Sequence, residues 1–164
     1  MCEKDAPGVL EIYSHLRALE YFAREPIRNL EEAQQMVADN LAWDGDANAR
    51  FWAICLAEND RIIGTFTLFH INEANQRAEV GYILNRSFWG QGYASEALRR
   101  MIDHCFGELG LARLEADVDP ENEGSLKLLE RNGFEREGYF RKRWLIRGNW
   151  YDSVMFGLIK PGLD

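Results

Sequence analysis

The segment RSFWGQGYASEALRRM, Arg86–Met101, constrains the fold more than any other part of the chain. It places Gly90 and Gly92 after a strand-like run, and apolar residues then recur at steps of three and four, which predicts a helix beginning near Tyr93. The strand-like segment LARLEADVD follows this helix. Because a crossover helix of this length returns the chain in the same direction, the two strands are predicted to be parallel neighbours in a mixed sheet.

Helical and strand-like segments also alternate in the rest of the chain. Two amphipathic helices are predicted first, over about Pro7–Phe22 and Leu30–Trp43, with Asn29 as the cap of the second. A helix that ends at Asn132-Gly133 precedes two terminal strands joined by IRGN. The predicted fold class is α/β, an α+β mixed sheet in the order ααβββαβαββ, and its first three strands are RFWAICLA, RIIGTFTLFHI and RAEVGYIL.

Length and composition favour a single domain over residues 1–164, because 46% hydrophobic residues suffice for a sizeable core. The apolar runs are shorter than the roughly 20 residues of a membrane helix, and MCEKDAPG lacks a signal core. We therefore expect a cytoplasmic protein with no membrane partner. The net charge of −8 opposes nucleic-acid binding and mildly favours amine-bearing partners. Three scattered cysteines predict neither disulfides nor a metal site.

The loop that contains Gly90 and Gly92 and leads into the helix at Tyr93 is called the glycine segment. It has two interpretations that the residues alone leave open. A strand, a short loop and a helix start would direct unpaired N–H groups at one point, where the helix dipole attracts an anion. The alternative is a turn needed only for folding. A dinucleotide fingerprint is excluded because GQGYAS lacks its third glycine, and a P-loop is excluded because Tyr93-Ala94 follows Gly92 instead of Lys-Ser or Lys-Thr.

Three blocks in order, AEVGYILNRSFWGQGYASEAL, NEGSLKLLERNGFEREG and YDSVMFGLI, resemble the GNAT superfamily of acyl-CoA-dependent N-acyltransferases. The resemblance covers about Asp5–Ile159 and is closest to the RimJ/RimL branch, named for acetylation of ribosomal-protein N-termini. It implies a GNAT fold with splayed central strands and acetyl-CoA as co-substrate. Relatives usually begin with a strand that is missing here. A truncated start, an exposed sheet edge or a homodimer that covers this edge would each account for that difference.

The resemblance also implies where acetyl-CoA binds. The site is a V-shaped gap between the strand ending near Leu84 and the strand near Leu114–Val118, with the pyrophosphate on main-chain amides of the glycine segment. Trp89 stands where the superfamily usually has Arg or Gln. The residues predicted to bind the cofactor are Ile83, Leu84, Trp89, Gly90, Gln91, Gly92, Tyr93, Ala94, Ser95 and Asn122.

Acyl transfer to an amine requires an uncharged nitrogen, a stabiliser for the carbonyl oxygen and a proton source for the departing thiolate. An alkyl amine with a pKa of about 10 is mostly protonated at neutral pH, so a carboxylate must accept a proton directly or through water. Glu79 is the predicted base, and strand alternation places it opposite Val80 and Tyr82. An exposed strand glutamate without a catalytic role is an equally good interpretation.

The proton donor that the resemblance implies is Ser125, which follows Asn122 in the N-x-x-S pattern of the branch. These two residues could instead only cap a helix. A backbone N–H near Ile83–Leu84 is the predicted oxyanion donor. Some members of the branch carry a glutamate at or near the position of Trp144, so here either Glu79 or a solvent relay must act as the base.

The predicted function is an N-acetyltransferase that moves an acetyl group from acetyl-CoA to a primary amine by direct transfer in a ternary complex. The acceptor is a protein N-terminus or a small-molecule amine, and its identity is not readable from the residues. The alternative is a GNAT-fold protein that binds acyl-CoA without catalysis, as a sensor or as a partner-binding module. No activated thiol is expected, because Cys55 and Cys105 are predicted on core faces. The basic segment FRKRWLIR is predicted to be a solvated strand face, and Trp43, Trp52, Trp144, Trp150 and Tyr151 are predicted to line the core or the cleft.

Overall fold

Helices and strands follow one another in the predicted order ααβββαβαββ. A computed structural model describes residues 1–41 and 49–163. A 3-10 turn over Glu3–Asp5 leads into the first helix. The helices are α1 (Ala6–Tyr13), α2 (Leu30–Leu41), α3 (Tyr93–Gly107) and α4 (Glu123–Arg131), and the strands are β1 (Arg50–Cys55), β2 (Ile62–Asn72), β3 (Arg77–Leu84), β4 (Arg113–Val118), β5 (Glu135–Ile146) and β6 (Asn149–Ile159).

The strands form one mixed sheet in the order β1-β2-β3-β4-β6-β5. As predicted, β3 and β4 are parallel, and the other neighbouring pairs are antiparallel. The pairing between β3 and β4 stops at Glu79 opposite Glu115. Beyond this point the strands diverge, so that Val80–Leu84 and Ala116–Val118 bound an open gap. This gap is the splay that the resemblance implied.

Helices cover both faces of the sheet because each helix has one apolar face to bury. One face packs with α3 and α4 around Leu68, Val80, Leu98 and Leu114. The other face packs with α1 and α2, where Ile83 of β3 is buried in the same cluster as the two helices. The divergent part of β3 therefore lies between two packed layers. The residues of the second cluster include Val9, Ile12, Tyr13, Leu19, Ile27, Ala33, Val37 and Ile62.

The first helix is shorter than the predicted Pro7–Phe22, and that prediction was wrong beyond Tyr13. After Tyr13 the chain makes tight turns, in which the N–H of Leu19 donates to the carbonyl of Leu16 at 3.1 Å. These turns still bury the apolar side chain of Leu19, so apolar spacing alone did not reveal the helix end. The end of α2 is described to Leu41, and the predicted extension to Trp43 lies outside the described residues.

The predicted burial of three further residues, Trp144, Trp150 and Cys55, was wrong. Trp144 and Trp150 are 41% and 58% exposed on the β5–β6 hairpin, because the described residues provide no layer over that end of the sheet. Cys55 is also exposed at the end of β1, while Cys105 is buried on α3 as predicted. Trp52 does pack against the core. The predicted role of Trp43 lies outside the described part of the chain.

Strand β1 forms one outer edge of the sheet. Within residues 1–41 and 49–163, β1 pairs with β2 alone. The first described element is the 3-10 turn, which leads straight into α1. The coverage of this edge by a second chain stays a prediction.

Candidate active site

Two cavities meet where β3 diverges from β4. The first, called the turn cavity, has a volume of about 670 Å³ and lies between the glycine segment and the start of α4. The second, called the helix cavity, has a volume of about 530 Å³ and lies between α2 and the sheet. Phe22, Tyr82 and Ile83 line both cavities. The two spaces are therefore neighbours at the gap in the sheet.

The glycine segment has the geometry of an anion site. Gly90 and Gly92 have φ values of 71° and 91°, and a Cβ added at either position would meet nothing within 4 Å. Gly92 is the N-cap of α3 and no side chain caps the helix. Within the described chain, no hydrogen-bond partner is found for the N–H groups of Tyr93 and Ala94. Open space before free N–H groups and a positive helix end fit a phosphate better than a turn needed only for folding.

Most of the residues predicted to bind the cofactor surround the turn cavity. Its walls include Ile83, Leu84, Trp89, Gly90, Gly92, Ala94, Ser95 and Asn122.

The remaining two, Gln91 and Tyr93, do not line the turn cavity. The side-chain amide of Gln91 donates to the carbonyl of Ser87 at 2.8 Å. The ring of Tyr93 packs edge-on against Phe88. Only their main-chain N–H groups are therefore available for the predicted contact.

Trp89 is the residue that departs from the superfamily pattern. It lines the turn cavity and also makes a hydrogen bond within the chain. Its indole Nε1 donates to the carbonyl of Leu84 at 2.8 Å. This bond ties the loop before the glycines to the divergent end of β3. The indole therefore fixes the distance between the glycine segment and the gap.

Three cations of the turn cavity were missed in the sequence. They are Arg17, Lys127 and Arg131. Lys127 and Arg131 are four residues apart on α4, and this spacing is the signal that could have indicated a shared face. The basic segment FRKRWLIR instead lies on the largely exposed strand β5, with its last residue, Arg147, in the turn that follows. None of its residues lines either cavity.

Asn122, Ser125 and Tyr82 form a connected group at the start of α4. The Asn122 side-chain oxygen accepts from the N–H of Ser125 at 3.1 Å, so the predicted cap exists. The Ser125 hydroxyl and the Tyr82 hydroxyl share a hydrogen bond of 2.6 Å. Burial raises the pKa of Tyr82 to about 12, against the opposing effect of this hydrogen bond. Tyr82 was missed as a site residue, although its position on the strand that enters the glycine segment was a usable signal.

Glu79 lies on the predicted face, opposite Val80 and Tyr82, but it lines neither cavity. Its carboxylate contacts Nδ1 of His70 at 3.1 Å. Two residues further along β3, the ring of Phe69 covers Gly81, where an added Cβ would lie 2.5 Å from Phe69 Cε2. The region at Phe22, Tyr82 and Ile83, where the two cavities meet, is called the junction. A proton released there would therefore need water to reach the Glu79 carboxylate.

The backbone geometry distinguishes between the N–H groups of Ile83 and Leu84, the two predicted donors to the oxyanion. Thr65 lies opposite Ile83, and the N–H of Asn85 donates to the carbonyl of Ile63 at 2.7 Å. Since successive residues of a strand direct their N–H groups to opposite sides, the N–H of Ile83 faces β2 and that of Leu84 faces the gap. Leu84 is therefore the better placed of the two predicted donors.

The described residues contain no group of three or more His, Cys, Asp or Glu side chains arranged to hold a metal ion. None of the described helices combines the length and the apolar composition that crossing a bilayer requires. Burial raises the pKa of Cys105 to about 12, and partial desolvation together with the Asp5 carboxylate raises the pKa of the more exposed Cys55. Neither of these two thiols is activated as a nucleophile.

Comparisons with known proteins agree with this geometry. A family model described as an acetyltransferase (GNAT) domain matches residues 1–135. The uncharacterized N-acetyltransferase p20 of Bacillus licheniformis is 38% identical over 159 residues, which are 96% of this chain and 88% of that protein. An acetyltransferase of the GNAT family from Bacillus anthracis has a TM-score of 0.83 and 26% identity, with 97% of this chain and 91% of that chain covered.

A second solved structure connects the chain with the RimJ/RimL-like branch. The ribosomal-protein-S5-alanine acetyltransferase from Vibrio fischeri has a TM-score of 0.82 and 25% identity, with 100% of this chain and 92% of that chain covered. The fold, the paired cavities and these similarities lead to one conclusion: the chain belongs to the GNAT acetyltransferase family and is an N-acetyltransferase of the RimJ/RimL-like branch.

Proposed function

We propose that the protein transfers an acetyl group from acetyl-CoA in the turn cavity to a primary amine in the helix cavity. The observation that carries this proposal is the shared wall of Phe22, Tyr82 and Ile83 at the gap between β3 and β4. An acyl donor in one cavity and an amine in the other would meet at these shared lining residues. Transfer between them therefore needs no enzyme-bound intermediate. The raised pKa values of Cys55 and Cys105 also favour direct transfer in a ternary complex.

The glycine segment would hold the pyrophosphate of acetyl-CoA. The free N–H groups at the start of α3 supply hydrogen bonds, and the helix dipole favours the negative charge. Arg17, Lys127 and Arg131 are the cations of the same cavity. Acetyl-CoA supplies the thioester, whose bond to sulfur breaks as the new C–N bond forms.

Two proton transfers accompany this exchange of bonds. The acceptor amine loses a proton through water to the Glu79 carboxylate, and the Leu84 N–H stabilises the charge on the carbonyl oxygen. Ser125 gives a proton to the departing thiolate. Tyr82 orients the Ser125 hydroxyl through their 2.6 Å hydrogen bond, passes a proton to it, and regains a proton from solvent.

The acceptor remains a primary amine of a protein N-terminus or of a small molecule. The V. fischeri neighbour is named for an alanine of ribosomal protein S5, which supports a protein N-terminus. A cavity of about 530 Å³ also accommodates a small molecule.

A cytoplasmic location and a homodimer that covers the β1 edge are proposed as well, and sizing chromatography tests the dimer.

A thiol-release assay tests the main proposal. Acetyl-CoA is incubated with the protein and pooled amines, peptides with varied first residues and purified ribosomal proteins. We expect thiol release that depends on the amine, together with an acetylated product in mass spectrometry. Binding of acetyl-CoA without any acetylated product across the panel would instead identify a non-catalytic sensor.

Substitution of Glu79 by glutamine tests the base. We expect kcat/KM to fall by about tenfold, at the low end of general-base effects because a water molecule separates the carboxylate from the junction. The matched control is Glu73→Gln, since Glu73 is an exposed glutamate in the β2–β3 turn that lines neither cavity. An unchanged rate for Glu79→Gln across all amines would assign proton removal to solvent alone.

A further inference from the structure

Arg24 occupies a distinctive place in the helix cavity. It lines this cavity together with Tyr13, Thr65 and Ile83. Its guanidinium carbon lies 4.6 Å from the centroid of the Tyr13 ring. The Tyr13 hydroxyl shares a 2.6 Å hydrogen bond with Thr65, which lies opposite Ile83 in the sheet. A continuous set of contacts therefore connects the Arg24 cation with the strand that bounds the gap.

Among the residues that the structure describes, the Arg24 side chain has no hydrogen-bond or ion-pair partner. Its Nε is buried and has no hydrogen-bond partner. None of the ion pairs among residues 1–41 and 49–163 includes Arg24. Its main-chain carbonyl accepts a 2.8 Å hydrogen bond from Arg147, which ties this part of the loop to the β5–β6 hairpin. Because an unpaired donor is costly to bury, a cation held this way is suited to an anion from outside the chain.

Two carboxylates in the same cavity, unlike the Arg24 guanidinium, have hydrogen-bond partners within the chain. Glu32 accepts the N–H of Arg28 at 2.7 Å, and Asp39 accepts the side-chain amide of Gln35 at 2.7 Å. Both lie on α2. Among the described residues, the cavity therefore combines acids that already have donors with an Arg24 guanidinium that has no acceptor. This imbalance favours an acceptor molecule that carries an anionic oxygen as well as an amine.

We propose that the acceptor is a free amino acid, whose α-carboxylate pairs with the Arg24 guanidinium while its α-amine faces the junction at Tyr82 and Ile83. This inference rests on the proposed function and specifies its substrate. A carboxylate and a guanidinium form two parallel charge-assisted hydrogen bonds, which fix orientation as well as affinity. The nearby positive charge also disfavours the protonated form of the α-amine, and the unprotonated form is the one that attacks.

Matched sets of three acceptors test the role of the carboxylate. The first set is serine, serinamide and ethanolamine, the second is phenylalanine, phenylalaninamide and phenethylamine, and the third is lysine, lysinamide and cadaverine. We expect at least one amino acid to exceed both of its analogues in kcat/KM by about tenfold or more, as the loss of a charge-assisted contact predicts. The amine of an α-amino amide is less basic than that of the acid, so amine ionisation opposes this preference instead of producing it.

Variants of Arg24 assign the preference to this residue. Arg24→Gln should lower kcat/KM for the amino acid by about tenfold, mainly through KM, and should lower kcat/KM for the amide and the decarboxylated amine by a much smaller factor. Arg24→Lys should restore part of the preference because it keeps the charge. Arg28→Gln is the matched control, since Arg28 lies nearby in sequence but lines neither cavity, and it should alter none of the three rates. Near-native melting temperatures and circular dichroism spectra check that each variant is folded.

Other results would overturn the inference. If the amides or the decarboxylated amines are equal or better acceptors, the proposed function stands and the amino-acid specificity is wrong. If no amine is acetylated, the proposed function fails, and calorimetric titration of the same amino acids into the CoA-bound protein decides the inference separately. Binding that is lost in Arg24→Gln supports a carboxylate site, whereas no binding, or equal binding to both proteins, rejects it.

Discussion

Replacement of Gly92 by aspartate is expected to weaken acetyl-CoA binding by about 100-fold or more, which corresponds to at least about 2.7 kcal/mol of binding free energy. Gly92 has a φ of 91°, where an L-residue is strained. An added side chain would project into open space at the start of α3, where the free N–H groups lie. A carboxylate at this point would occupy the anion site and repel a phosphate.

Gly148→Asp provides a matched control. Gly148 lies in the β5–β6 turn with a φ of 81°, and a Cβ there also meets nothing within 4 Å. It therefore carries similar backbone strain and the same added charge, but it lines neither cavity. Isothermal calorimetry with acetyl-CoA should separate the two variants, with near-native affinity for Gly148→Asp. Equal affinities for both variants would show that the glycine segment does not hold the coenzyme.

Removal of the Ser125 hydroxyl should have the second large effect. Ser125→Ala is expected to lower kcat by about 100-fold, as the loss of a general acid predicts. Tyr82→Phe keeps the ring but removes the hydroxyl that holds Ser125 at 2.6 Å, and we expect a loss of about tenfold. Because both residues act in one proton transfer, the double variant should be no slower than Ser125→Ala alone. Multiplicative losses in the double variant would show independent roles.

The pH profile tests whether Tyr82 stays protonated over the pH range in which the enzyme is assayed. Burial raises the pKa of Tyr82 to about 12, so its hydroxyl stays protonated at every lower pH and can still return a proton. The wild-type kcat should therefore show no alkaline loss below about pH 11 that belongs to this group. An alkaline loss between pH 8 and about pH 10 that disappears in Tyr82→Phe would contradict this assignment. Near-native melting temperatures of the variants would show that the fold is retained.

Local patterns in the chain predicted the order of elements well. The parallel relation of β3 and β4 follows from one strand-helix-strand segment, and the glycine turn follows from residues next to one another. Helix ends were less reliable. Residues after Tyr13 continue to place apolar side chains inward, but they do so in tight turns, which have similar spacing over a short distance.

Strand alternation could not show which predicted site residues the fold brings to the cavities. Strand alternation correctly placed Glu79 opposite Tyr82, yet the cavity wall next to it is closed by Phe69, a residue of the neighbouring strand. Ser125 was predicted from a motif, but its partner Tyr82 lies 43 positions away in sequence. Such contacts depend on how distant elements pack, and one sequence contains no direct record of that packing.

The sequence by itself determined the mixed sheet, its parallel pair and the glycine turn, because hydrophobic period, helix caps and turn residues act between neighbours along the chain. Only the tertiary structure decided that two cavities share lining residues at the open gap, that Trp89 anchors the end of β3 and that Arg24 has no acceptor within residues 1–41 and 49–163. Those properties arise from the packing of α1, α2 and α4 against diverging strands. Burial and pairing at that junction are set by groups far apart in sequence, which is the physical reason why local patterns do not determine them.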